Sequence, residues 1–403
     1  MLDVWPALPI SITDLGISCS RLSQVEHETL LAILELHQRV CEIDLTGIPN
    51  ELLEQVGQIM QKPFPALTKL LLESSSPSPP ELLDSFLGGS APRLRVLELK
   101  NIPFPALANI LLSTSGLRYL ELYSIRPSAF ISSQVMATCL SGLTRLKVLV
   151  IEFHSSRSRF RHGQSLPLPP STRTVLPALT YLRFQGRCDY LEGLVASIDA
   201  PVLNSLSLSF FKTDAYDTPQ LFKFISCPNQ LHRSPRRVDV VFYDHTIKVK
   251  VYLRTEQVYL PAVTLEVLHS DWRLSPLAQL YHSSLSSLST LERLDILRGQ
   301  VGTSGLPYNI DDTQWLALLR RFASVKDLHI TKSLGLLVMS ALAAPAGDGM
   351  TVLPALQNFF LQGLQPSGSL RDVVDQLIAT RQLLGHPISV HNWNRWEEMQ
   401  GGM

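Results

Sequence analysis

The chain has 403 residues, 45% of them hydrophobic and 17% charged, with Lys+Arg and Asp+Glu balanced at 35 each. That is enough apolar material for one large core or two ordinary ones, and the zero formal charge excludes a global attraction to nucleic acid or to anionic membrane. The start, Met1 to Pro6, has neither the basic region nor the apolar stretch of a signal peptide, and the most apolar run, Leu334 to Ala346, falls short of the ~20 residues needed to cross a bilayer.

The expected elements, in chain order, begin with a cap at residues 1–39, in which Glu26 to Gln38 carries a stripe of Leu30, Leu31, Ile33 and Leu34. A phrase then recurs, apolar-x-x-apolar-x-apolar, often preceded by Pro-Ala-Leu or Ala-Pro-x-Leu. Its copies begin at Val40, Leu67, Leu94, Leu117, Leu146, Leu179, Leu203, Leu291, Val325 and Leu356. Most intervals lie near the 20–29 residues of a leucine-rich repeat. An interval of 88 residues, from 203 to 291, has to hold divergent copies, with Val238–Phe242, Ile247–Leu253 and Leu265–Leu268 as candidates.

The last two apolar positions of each phrase are two apart, so they share one face of a short strand. The residue between them faces the other way. Helices are expected between strands: Asn50 to Gln61 with Leu52, Leu53, Val56, Ile59 and Met60 on one stripe, one after Ser132-Ser133, one after Thr218-Pro219, and one after Asp312-Thr313 carrying Trp315, Leu319 and Phe322. The pattern predicts an α/β leucine-rich-repeat solenoid: a curved horseshoe with parallel strands on the concave face, helices on the convex face and irregular repeats. The repeats span residues 40–384 as one continuous body, with a long loop at 154–174, divergent repeats at 230–288, and a cap and tail at 385–403. Isoleucine stands at 48, 102 and 125, where regular repeats often place Asn or Cys, so no unbroken asparagine ladder is expected.

Motifs for chemistry are missing. There is no His-Glu-x-x-His, Cys-x-x-Cys, Gly-x-Ser-x-Gly or Gly-x-x-x-x-Gly-Lys-Ser/Thr. The glycine-rich run Gly299 to Gly305 reads as a turn, Asp311-Asp312 as helix capping, and Trp5, Trp272, Trp315, Trp393 and Trp396 as core or cap. Neither a cofactor nor a metal is expected, and the five dispersed cysteines read as a reducing intracellular compartment, cytoplasmic or nuclear. The 154–174 loop, with Arg157, Arg159, Arg161, Arg173 and His162 and no acidic residue, reads either as an anion-seeking loop or as an insertion kept soluble by charge. The same two readings hold for His232-Arg233-Ser234-Pro235-Arg236-Arg237.

Phe86-Leu87-Gly88-Gly89-Ser90-Ala91-Pro92-Arg93-Leu94, Leu191 to Pro201, Asp217-Thr218-Pro219-Gln220-Leu221 and Leu361 to Gly368 resemble a large fungal family of F-box and leucine-rich-repeat proteins. The resemblance covers nearly the whole chain. It implies that the repeats present a substrate to a cullin-type ubiquitin ligase, docked through an N-terminal F-box. No F-box is evident in this sequence, so the ligase adaptor is a partner only if one is supplied.

The residues thus point to a non-catalytic protein-interaction scaffold, and the resemblance makes it the substrate-recognition region of a ubiquitin-ligase receptor. The central strand positions, Glu98, Glu121, Arg183, Ser207, Asp295 and His329, with Asp44, Leu71, Val150 and Phe360, form a mixed row suited to a protein partner rather than to nucleic acid. Two alternatives stay open: RNA or acidic-ligand binding through the arginine loops, and an enzyme whose site is assembled from distant residues.

Overall fold

In the computed structural model the described residues are 8–13, 19–154, 173–211, 218–225, 235–243, 246–253, 261–268, 290–299, 312–320, 322–343, 351–364 and 369–393. The chain is mixed α/β and divides into two compact units, Met1–Asn204 and Ser205–Met403, where the repeat pattern alone draws no boundary.

In the first unit the strands are β1 (Ile10–Thr13), β2 (Val40–Ile48), β3 (Lys69–Ser74), β4 (Val96–Lys100), β5 (Tyr119–Ile125), β6 (Val148–Phe153), the short β7 (Thr174–Val175), β8 (Tyr181–Gly186) and the short β9 (Ile198–Asp199). All but β7 and β9 pair in chain order, and every pair is parallel. The expected cap therefore contributes a strand of its own, because Ile12 and Thr13 continue the register of Ile43 and Asp44. Helices α1 (Gln24–Leu34), α2 (Asn50–Ile59), α3 (Leu107–Ser113), α4 (Ser133–Ser141) and α5 (Cys188–Ser197) connect the strands. Of the stripe expected on α1, only Leu30 and Leu34 are buried. Ser132 caps α4 by accepting from the Val135 amide at 3.3 Å.

The recurrent Pro-Ala-Leu has a mechanical reason. In Phe64-Pro65-Ala66-Leu67 the Leu67 amide donates to the Phe64 carbonyl, and the same closure occurs at Ala91–Leu94, Leu176–Leu179 and Ala200–Leu203. Proline sits second in each turn, where its fixed φ suits a β-turn. The leucine that closes each turn is fully buried. At the other end of the strands, Gly47, Asn101 and Ser124 all have positive φ, each two residues past the last apolar position of its phrase, Leu45, Leu99 and Leu122. Glycine adopts that conformation without steric cost, and asparagine tolerates it better than most side chains. The Asn101 amide also donates to the carbonyls of Ser74 (3.2 Å) and Ser76 (2.7 Å). An asparagine does bond the turn backbone here, one position before the isoleucine where the sequence pattern looks for it.

In the second unit the strands are β10 (Ser205–Phe210), β11 (Pro235–Phe242), β12 (Thr246–Leu253), β13 (Val263–Leu268), β14 (Arg293–Arg298), β15 (Asp327–Ile330), β16 (Asn358–Gln362) and β17 (Ser389–Trp393). Their order is β10-β13-β12-β11-β14-β15-β16-β17, and neither unit's strands close into a barrel. The expectation of parallel strands is not met throughout this stretch. β12 is antiparallel to both β11 and β13, within otherwise parallel pairing. Alternation of Ile247, Val249 and Val251 specifies a strand but not its direction, because period two is common to both. Helices α6 (Pro219–Ile225), α7 (Asp312–Leu319), α8 (Lys332–Ala343) and α9 (Ser369–Leu383) complete this unit. Trp315 is fully buried, as is most of the apolar face of α8, and among the described residues no helix is long and apolar enough to cross a membrane.

Candidate protein-interaction face

In the first unit, strand register assembles the central positions into a single row: Thr13, Asp44, Leu71, Glu98, Glu121, Val150 and Arg183, each directly opposite the next. Flanking it are Glu42, Lys69, Val96, Tyr119, Val148 and Tyr181 on one side, and Glu73, Lys100 and Tyr123 on the other. The polar members are half-buried or exposed, whereas Val150 is buried.

The cations on this face already have partners. Lys69 pairs with Asp44 at 2.6 Å, Lys100 with Glu73 at 2.6 Å, and Arg183 with Glu152 at 2.5 Å. Glu98 and Glu121 face each other in register with no ion pair to either, a destabilising arrangement for like charges directly opposite that the Lys100 charge only partly offsets. Tyr123 offsets part of the cost by donating its hydroxyl to Glu121 Oε2 at 2.6 Å. Burial, followed by the charges of Glu121, Asp44 and Glu73, raises the Glu98 carboxyl above the usual carboxylate range.

The equivalent row of the second unit is Ser207, Thr264, Lys250, Asp239, Asp295, His329, Phe360 and His391. Ser207 is half-buried. Asp295 and His329, expected to meet a partner, are instead 0% and 5% exposed. Arg293 chelates Asp295 through Nε (2.8 Å) and Nη2 (3.0 Å). Arg237 binds Asp239 through Nε at 2.6 Å and reaches Asp295 through Nη2 at 2.9 Å. Burial works against the Arg237 charge, but Asp295 and Asp239 outweigh it and hold the guanidinium above its ordinary value. His329 stacks on Phe360 at 4.2 Å and meets Trp393 edge-on at 5.0 Å. In this network two buried carboxylates are neutralised by two partly exposed guanidinium groups. Sequence inspection placed Arg237 in a basic run read as anion-seeking or as a charged insertion and did not single out Arg293 or Asp239, although the repeated Arg-x-Asp spacing of Arg237/Asp239 and Arg293/Asp295 was the available signal.

Of the arginine loop, only Arg173 lies within the described residues, and it donates to the carbonyls of Ala196 (3.2 Å) and Val195 (3.0 Å). These bonds tie the backbone together at the end of α5. Arg157, Arg159, Arg161, His162, His232, Arg233, Trp5, Trp272 and Trp396 lie outside the described residues, as does the run from 300 to 305. No group of three or more metal-ligating side chains occurs among the described residues, and the described cysteines Cys19, Cys41, Cys139 and Cys188 are free thiols. No family model matches the chain, and no curated protein matches it.

Proposed function

We propose that the chain is a non-catalytic protein-interaction scaffold whose strand–helix units are leucine-rich repeats, and that its working surface is the acidic sheet face of the first unit. The observation that carries this reading is the Glu98–Glu121 pair, set opposite one another in register with no ion pair to either carboxylate, while Lys69, Lys100 and Arg183 on the same face pair with Asp44, Glu73 and Glu152. A protein partner presenting lysine or arginine would relieve that repulsion on binding, so the charge that is unfavourable in the free chain becomes complementarity in the complex. The second unit's row supports a structural role, since its charges are internally neutralised.

The resemblance to F-box and leucine-rich-repeat proteins gives the scaffold a specific setting, the substrate-recognition region of a ubiquitin-ligase receptor. The test is co-precipitation from cells with the chain and with Glu98→Lys/Glu121→Lys, alongside direct binding to a purified cullin-ligase adaptor. Partners captured by the native chain and lost on charge reversal are the expected result. An unchanged set of partners overturns the assignment to this face. If partners are lost on charge reversal but no adaptor binds even when an F-box is fused, the scaffold stands and the ligase setting falls.

A further inference from the structure

The same strands of the first unit carry a second surface of opposite charge at their N-terminal ends. The residue that follows the first leucine of each phrase enters a backbone ladder: Arg95 N–H donates to Thr68 O, Arg118 N–H to Arg95 O, and Lys147 N–H to Arg118 O, each at 2.8 Å. Adjacent members therefore stand one strand spacing apart, about 4.8 Å. Arg93 and Arg145 precede the buried leucines of the same phrases and add to the cluster. Arg93, Arg95, Arg118 and Arg145 together line a concavity of about 430 Å³ whose remaining walls are Ala66, Thr68, Pro92, Ser115 and Gly116. All four arginines are exposed, and none makes a side-chain hydrogen bond or ion pair with another described residue. The matching ladder position in the second unit is managed differently. Lys326 is neutralised there by Glu292 at 2.7 Å.

Four exposed guanidinium groups around one small concavity repel one another, and no carboxylate lines the wall to offset them. We propose that this concavity is a binding site for a phosphorylated peptide segment of a partner protein. Guanidinium forks match phosphate oxygens bidentately, and a phosphoserine brings a charge of about −1.5 to −2 in a group small enough to enter. Nucleic acid fits less well, because no aromatic side chain lines the wall to stack a base. The inference does not rest on the acidic face: it uses different residues and a partner group of the opposite charge.

The test uses the full chain and fluorescence anisotropy with three labelled probes: a Gly/Ser peptide bearing two phosphoserines one residue apart, its unphosphorylated counterpart, and an oligouridylate of similar length. The phosphopeptide is expected to bind in a salt-dependent manner and the unphosphorylated peptide not to bind. Arg95→Ala/Arg118→Ala should weaken phosphopeptide binding at least about tenfold, as loss of two charge-assisted contacts requires, with unchanged circular dichroism. Arg145→Ala, a single exposed change, gives a smaller loss by the same route. Glu98→Gln/Glu121→Gln should leave this affinity intact even if it abolishes partner capture by the acidic face. Equal binding by the native chain and the arginine variants, no preference for the phosphorylated peptide, or tighter binding of oligouridylate would each overturn the proposal.

Discussion

Arg237 Nη2 lies 2.9 Å from Asp295 Oδ2 on the neighbouring strand, and this contact joins two Arg-x-Asp pairs into one network of two cations and two anions. Arg237 and Arg293 are register partners, as are Asp239 and Asp295, so parallel pairing alone would set like beside like. The diagonal reach of Arg237 resolves this. Tyr252 supports the arrangement from β12, with its hydroxyl 3.4 Å from Asp239 Oδ2 and its ring 5.4 Å from the Arg237 guanidinium.

Replacing Asp295 with Ala should therefore destabilise the second unit strongly. Removing one partner from a buried pair costs about 3–5 kcal/mol, and the lower end is expected here because both guanidinium groups retain some contact with water. Chemical denaturation of the two proteins measures the difference, and a change below about 1 kcal/mol, the size of a surface pair, would show that the network contributes little.

Glu98→Gln should stabilise the chain at neutral pH. In the folded state the Glu98 carboxyl is raised above its ordinary value of 4.5, so its ionised form opposes folding at all pH values above the raised value. That penalty fades as pH falls through the raised value and is gone below the ordinary one. The gain from Gln, less than about 1 kcal/mol at this partly solvated position, should be present at pH 7 and vanish below about pH 4. Thermal melts across pH 3–8 test it, and a gain independent of pH would assign the effect to something other than charge.

Gly186 cannot accept a methyl group where it stands. A Cβ there would lie 2.7 Å from Phe153 Cδ2 and 2.8 Å from Phe184 Cζ, and Phe153 is itself held edge-on against Tyr190 at 4.9 Å. Gly186→Ala should cost about 1–3 kcal/mol through overpacking, read by denaturant titration, and no loss of stability would mean that the aromatic cluster yields easily.

Asn101→Ala removes three hydrogen bonds, two donated to the Ser74 and Ser76 carbonyls and one accepted from Arg126 Nε at 2.9 Å, and places alanine at a φ of 56°. The combined loss should be about 2–3 kcal/mol. Asn101→Gly should recover the conformational part and not the hydrogen bonds, so its stability should fall between the two. If alanine and glycine prove equal, backbone conformation is not part of the cost.

Much of this architecture was legible in the residues. The apolar-x-x-apolar-x-apolar phrase marks β3, β4, β5, β6, β8, β10, β14, β15 and β16 because alternate side chains on a half-buried strand have to be apolar. Ser132 and Pro219 mark helix starts because the first turn needs its amides capped or absent. The central residues of the phrase do share one face of the strands, and Glu98, Glu121 and Arg183 reach its surface in the first unit.

Tertiary structure decided the rest. Sequence period does not encode strand direction, so the antiparallel β12 appeared only through its register with Val240 and Val263. Nor does it encode which charges will be neutralised: Glu98 and Asp295 occupy equivalent positions in their phrases, yet one meets another carboxylate and the other two guanidinium groups. The basic concavity was equally hidden, because Arg93, Arg95, Arg118 and Arg145 are scattered over fifty-three residues of chain and converge only when parallel strands stack in register. Periodicity is a local property of the chain and fixes which side of a strand a residue occupies. Electrostatic complementarity depends on which strand lies alongside, and the chain settles that only by folding.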